Sequence, residues 1–215
     1  MKNKVLQLNT GKPIVYNWKG KQISSAIGKD QVKEAFLTKM GFNEDGVANL
    51  EHHGGPERAV CLYPYEHYNL WGKEFSVKLE IPAFGENITI NGMLENEVYI
   101  GDVFQLDEAV VQICQGRVPC SKISKFNGIE NLLERVFHTG YTGYFFRVLE
   151  EGKVSSDADM ILKDRENGSF SVLRANQIYL HEQDNITDMK KLMEISSLSS
   201  EWKSQLNKKI SKQSK

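Results

Sequence analysis

Residues 98–114, Val98-Tyr99-Ile100-Gly101-Asp102-Val103-Phe104-Gln105-Leu106-Asp107-Glu108-Ala109-Val110-Val111-Gln112-Ile113-Cys114, read as three short strands. The spans are 98–100, 103–106 and 110–114, and Gly101-Asp102 is turn chemistry. The same texture extends outward. Residues 87–90 precede an Asn91-Gly92 turn, and 47–50 is a further short span. Nearer the start, 5–8, 14–18 and 22–27 are separated by Gly11-Lys12-Pro13 and Gly20. Many short strands with Gly, Pro and Asn between them predict a barrel or a sandwich. One helix interrupts them over 64–75, where Tyr65, Tyr68 and Trp71 share a face. A second covers 129–137 on a stripe of Leu132, Leu133, Val136 and Phe137, before strands at 143–149 and 160–162.

After Gly168 the pattern becomes helical. Val172, Ala175, Ile178 and Tyr179 recur at helical spacing, then Met189, Leu192, Met193 and Ile195, then Trp202, Leu206 and Ile210. Asn185, Thr187 and Ser199 stand where N-caps belong. The expected organisation is therefore mainly β with α: a β domain over 1–168 and a three-helix domain over 169–215. So small a helical unit needs a surface to dock on, either the β domain or a second copy in a homodimer.

With 215 residues, the chain holds about one domain and a fraction at roughly 150 residues per domain. Lys and Arg number 27 against 28 Asp and Glu, giving a net charge of −1 and no basic excess for duplex nucleic acid. No apolar run approaches the ~18 residues of a membrane span, and the first residues lack a signal-peptide core. Three cysteines, Cys61, Cys114 and Cys120, cannot close a disulfide framework. A soluble cytoplasmic protein with reduced thiols is the expectation.

Chemistry concentrates in Gln115-Gly116-Arg117-Val118-Pro119-Cys120-Ser121-Lys122. Pro119 keeps Val118 extended and suits the first helical position. Cys120 would then lie in a first helical turn between Arg117 and Lys122, where amide N–H groups and cations favour a thiolate. That makes it a candidate nucleophile or metal ligand, whereas Cys61 and Cys114 sit in apolar runs and read as small buried hydrophobes. In His52-His53-Gly54-Gly55-Pro56-Glu57-Arg58, the glycines permit positive φ and an amide nest for an oxyanion, with Arg58 assisting. An ordinary glycine turn with one capping histidine reads equally well. Glu86 and Asn87, between Gly85 and a strand, either recognise a ligand or cap the turn. Arg147 stands in an aromatic strand, facing a carboxylate or an anionic ligand, and Arg165 reads as part of a charged loop. The histidines lack zinc-motif spacing, and no nucleotide-binding glycine motif or four-cysteine cluster is present.

Taken together, several ordered segments resemble the MOSC domain family (the molybdenum cofactor sulfurase C-terminal domain), in its YiiM-like branch. They are Glu51 through Val60, Tyr65-Glu66-His67-Tyr68, Phe84-Gly85-Glu86-Asn87, Ile100-Gly101-Asp102, Arg117 through Lys122 and Thr142-Gly143-Tyr144 through Gly152. The trailing helices look like the three-helix domain of that branch. The resemblance implies a β-barrel of the pyruvate-kinase barrel type and bound molybdenum cofactor, with pyridoxal phosphate not expected. Cys120 matches the cysteine proposed in the family to ligate molybdenum or carry sulfur. Arg117, Lys122, His53, Gly54, Gly55, Arg58, Glu86, Asn87 and Arg147 are the expected cofactor-binding residues. The implied activity is reduction of N-hydroxylated compounds such as 6-hydroxylaminopurine, with electrons from a separate reductase. A persulfide carrier for metal–sulfur assembly and a non-catalytic ligand-binding barrel are the other readings.

Overall fold

The computed structural model describes residues 1–48, 54–166 and 168–213. Thirteen strands are formed by β1 (Lys2–Thr10), β2 (Ile14–Trp18), β3 (Lys21–Ser25), β4 (Asp30–Val32), β5 (Glu34–Thr38), β6 (Gly41–Phe42), β7 (Val60–Pro64), β8 (Ile88–Ile90), β9 (Val103–Leu106), β10 (Ala109–Gly116), β11 (Tyr144–Glu150), β12 (Gly152–Ser155) and β13 (Asp159–Asp164). The helices are α1 (Glu66–Phe75), α2 (Lys122–Asn127), α3 (Leu132–Thr139), α4 (Val172–Leu180), α5 (Ile186–Glu194) and α6 (Ser200–Gln213).

The main sheet runs β13-β9-β10-β11-β7-β8-β1-β4, and a β13–β1 pairing closes seven of its strands into a barrel, leaving β4 on the edge of β1. All these pairings are antiparallel except β7 with β8. A parallel pair cannot be joined by a tight hairpin, and α1 lies in the crossover between its two strands. Alternation fills the barrel: Phe104 and Leu106 of β9 are buried, as are Ala109, Val111 and Ile113 of β10. The β2–β3 hairpin turns at Lys19-Gly20, both at positive φ, as a two-residue loop matching the strand twist requires.

The ladder between β10 and β11 slips near its end. Ile113 faces Phe146 and Gln115 faces Phe145, so Cys114 is an extra residue. Such a bulge bends the strand and re-aims the side chains that follow it.

The helices after Gly168 pack directly on the barrel. Val172, Ala175, Ile178, Met189, Leu192, Trp202 and Leu206 join one continuous core with Phe104, Ile113 and Phe146. Gly116 is where the approach is closest: a Cβ there would lie 1.7 Å from Asn176 Oδ1, so only glycine admits α4 at this distance. Polar ties reinforce the seam. Ser199 N–H donates to Cys114 O at 2.9 Å, and Asn176 Nδ2 donates to Gly140 O at 2.8 Å. We expect a chain cut after Gly168 to expose this apolar seam and to self-associate or precipitate. Size-exclusion chromatography checks this; a soluble truncation of unchanged oligomeric state would make the helices an independent appendage.

Several local expectations are corrected. Residues 98–100 form no strand; Tyr99 makes one isolated bridge to Ser171, because Asp102 accepts from Tyr99 N–H at 3.0 Å and turns the chain. Val47 and Ala48 lie outside any strand, and the rest of the 47–50 span is outside the described residues. β4, β5, β6, β7 and β12 were not anticipated; β7 is buried at all five positions and so shows no alternation. Asn185 and Ser199 do cap helices, accepting from Asp188 N and Trp202 N at 3.1 Å each, but Thr187 lies inside α5. Ser171 caps α4 instead of any residue foreseen. Arg165 lies in the loop after β13 as expected, but its charge is engaged: it forks onto both oxygens of buried Asp102 at 2.8 Å each and lies over the Tyr99 ring. No helix among the described residues is long and apolar enough to cross a membrane.

Candidate functional site

Where β10 leaves the barrel, a cavity of about 470 Å³ opens between the strand ends and the trailing helices. That size lies within the ~300–1,000 Å³ of small-molecule sites. Its walls come from sequence-distant elements: Gln115 at the end of β10, Arg117 and Cys120 just after it, Lys122 at the start of α2, and Lys29 and Asp45 from early loops. Arg58, Cys61 and Asn87 add a barrel wall, while Tyr179 of α4 and Glu201 of α6 supply a helical one.

Cys120 is partly exposed in this cavity. It stands just ahead of α2 rather than in its first turn, and its carbonyl accepts from Ile123 N at 3.1 Å. Arg117 is anchored through its backbone N–H to Gly143 O at 3.1 Å. Its Nη1 is sealed from solvent and has no hydrogen-bond partner among the described residues. Burial opposes the charge of this guanidinium, but neighbouring Cys61, Cys120 and Glu86 hold its pKa above the ordinary value. Lys122 Nζ donates to Ser24 O at 3.2 Å.

Among the described residues four cations line the cavity, and two of them are matched. Lys29, with a side chain only 5 % exposed, pairs with Asp45, and Arg58 pairs with Glu201. Asp45 also accepts from Gly11 N at 2.9 Å and from Asn87 Nδ2 at 2.8 Å. Arg117 and Lys122 form no ion pair with a described carboxylate. Two cations beside a thiol, without an ion-pair partner among the described residues, favour an anionic ligand.

The other expected site residues divide. Gly54 lines the cavity at φ 82, and Gly55 follows at φ 88 with open space around it, so both adopt the positive φ that an amide nest uses. Asn87 lines the cavity too and braces it, accepting from Cys61 N at 3.0 Å. Glu86 does not line it: buried, it accepts from Tyr68, from Phe84 N at 3.1 Å and from Thr89 Oγ1 at 2.9 Å. Burial lifts its carboxyl above the ordinary range. Arg147 is also outside the lining and ties β11 to Glu57 at 2.9 Å and to Ser197 O at 2.8 Å, at the seam with the helices. His53 lies outside the described residues.

Lys29, Asp45, Gln115, Tyr179 and Glu201 were not foreseen as site residues. No local motif marks them; only tertiary folding brings them to one wall. Cys61 is buried as expected, yet it also lines the cavity. Among the described residues no three His, Cys, Asp or Glu side chains could hold a metal, so a metal here would bring its other ligands with it.

A closed barrel with a helical lid, enclosing a cationic cavity with one accessible thiol, defines the class of protein. The MOSC domain matches residues 49–160, and the YiiM-like, 3-alpha helix domain matches residues 171–213. The chain belongs to the MOSC domain family. It is 46 % identical over 206 residues to the uncharacterized protein YflK of Bacillus subtilis (strain 168), covering 95 % of this chain and 93 % of that one. The crystal structure of YiiM from Geobacillus stearothermophilus superposes with a TM-score of 0.81 at 31 % identity, covering 96 % and 98 % of the two chains. A protein named reductase from Gibberella moniliformis (strain M3125 / FGSC 7600) is 32 % identical over 164 residues, 74 % of this chain and 29 % of that one.

Proposed function

We propose that this chain binds molybdenum cofactor in the cavity and reduces N-hydroxylated compounds. The observation that carries the reading is the buried Nη1 of Arg117, unpartnered among the described residues, beside the accessible Cys120 thiol in one cavity. The residues fit the group. A thiolate is the soft ligand that such a metal accepts, and the positive wall suits an anionic cofactor. When bound, molybdenum cofactor supplies two-electron chemistry that takes the oxygen of an N–OH group, leaving amine and, with two protons, water.

Within this reading each side chain has a task. Cys120 ligates the metal. Lys122, the more open cation, Arg58 and the Gly54-Gly55 amides hold the phosphate, while Arg117 neutralises the inner part of the cofactor. Asn87 and the Lys29–Asp45 pair keep the wall in place, and the helical face of Tyr179 and Glu201 keeps water out. The protein works in the cytoplasm, on a small N-hydroxylated substrate, with a separate reductase as electron donor. The relative from Gibberella moniliformis, 29 % of which this chain matches, is named a reductase, in keeping with reductive chemistry.

Arg117→Ala is expected to weaken cofactor retention by roughly 1.5–3 kcal/mol, the worth of a charged hydrogen bond. Lys2→Ala, at an exposed pair with Asp159, is the reference, because Arg165 holds Asp102. Equal molybdenum content in both variants would remove Arg117 from the site. The test of the function compares NADH with a strong artificial reductant on one molybdenum-loaded sample. The chain has no glycine-rich dinucleotide motif and too few cysteines for a four-thiolate cluster, so NADH alone should fail and the artificial donor should give turnover. Turnover with neither donor would sink the reductase reading in favour of a persulfide carrier. Efficient NADH turnover without added protein would refute the separate donor.

A further inference from the structure

Gln115 and Arg117 stand two residues apart beyond the Cys114 bulge, and both line the cavity. Gln115 is 1 % exposed. Its Nε2 donates to Gly116 O at 3.4 Å, which leaves Oε1 as the other end of the amide, and that oxygen has no partner among the described residues. Buried polar atoms are nearly always paired, so an orphan acceptor and an orphan donor in one cavity point to a bound group. The neighbouring polar groups are already engaged: Asn87, Asp45 and Lys29 bond one another or the backbone.

We infer that Gln115 Oε1 and Arg117 Nη1 together read one edge of a planar N-heterocycle, Gln115 accepting from its N–H and Arg117 donating to the adjacent oxygen or nitrogen. A phosphate monoester dianion offers acceptors only, so it would serve Arg117 and leave Gln115 unpaired. An edge with N–H beside C=O or ring nitrogen serves both. The pterin of the cofactor and the base of a purine substrate each present such an edge. This inference rests on the cavity being the cofactor and substrate site, and it makes Gln115 a specificity residue within it.

The test uses cofactor-free protein and four probes: pterin and its N3-methyl derivative, adenine and N6,N6-dimethyladenine. Each methylated probe keeps the ring but lacks the N–H that Gln115 would accept. Wild-type protein is expected to prefer the N–H member of one pair by about tenfold, the usual worth of one buried hydrogen bond. The preferred pair tells pterin from purine. Gln115→Met should lower that ratio to about one while keeping its affinity for the methylated probe, which shows that the site is intact. Gln115→Ala carries the same expectation should the methionine variant fold poorly. An unchanged ratio in these variants, or no binding of any probe by wild-type protein, overturns the inference. Because no molybdenum is involved, discrimination through Gln115 would stand even if both electron donors failed to give turnover.

Discussion

Cys120→Ser should abolish N-hydroxyl reduction and strip molybdenum from protein made in a cofactor-producing host, with the fold unchanged. A serine hydroxyl is neither soft nor anionic near neutral pH, so it is a poor replacement for a thiolate ligand. The other cysteines provide the contrast. Burial pushes the Cys114 thiol up to about 12 and raises that of Cys61 above its ordinary value, so neither is a thiolate under working conditions. Cys114 Sγ instead donates to Glu57 O at 3.0 Å inside the barrel seam. Cys61→Ser and Cys114→Ser are therefore expected to shift the melting temperature more than the metal content. Iodoacetamide should label Cys120 well ahead of the other two. Metal analysis and peptide mapping of the three variants decide the matter. Full activity and normal metal loading in Cys120→Ser would remove it as the ligand.

The largest stability loss is expected from Glu95→Ala. Glu95 is 1 % exposed and joins two parts of the barrel end. One carboxylate oxygen accepts from buried His67 Nε2 at 2.7 Å, and the other from Gly143 N at 2.9 Å. The carbonyl of Gly143 in turn accepts from Arg117 N. Removing the carboxylate strands two buried donors at once, at a cost of about 1–3 kcal/mol each. In a chain of this length that corresponds to a fall in Tm of roughly 10 °C. Because the same contact fixes the backbone that carries Arg117, cofactor retention should fall with it. Calorimetry on the purified variant is the check, and a loss below about 1 kcal/mol would show that the pair is barely coupled to folding.

The parts of the structure legible in the sequence are those set by local pattern. The strands of the barrel around 103–114 and 143–149, the helices α1, α3 and the three after Gly168, and the caps at Asn185 and Ser199 all follow from periodicity and end chemistry. The short β5, β6 and β12 were not legible, because their pairing with one another, rather than any alternation, defines them. In the site, Arg117, Cys120 and Lys122 were visible because they adjoin in sequence. Lys29 and Asp45 were not: a charged residue in a loop gives no sign that folding will bury it against its partner. Glu86 and Arg147 illustrate the converse. Each looked suited to a ligand, but the structure gives their charges to neighbouring protein groups.

The wall that Tyr179 and Glu201 add to the cavity carries a thermodynamic consequence. A ligand that touches both the barrel and this wall binds the docked arrangement more tightly than an undocked one. By reciprocity, the free energy that docking contributes to binding equals the free energy that binding returns to docking. Occupancy of the cavity should therefore slow proteolysis and hydrogen exchange throughout α4 and α6, beyond the two residues that the ligand itself would touch. The three trailing helices then act as a built-in reporter of whether the cavity is filled.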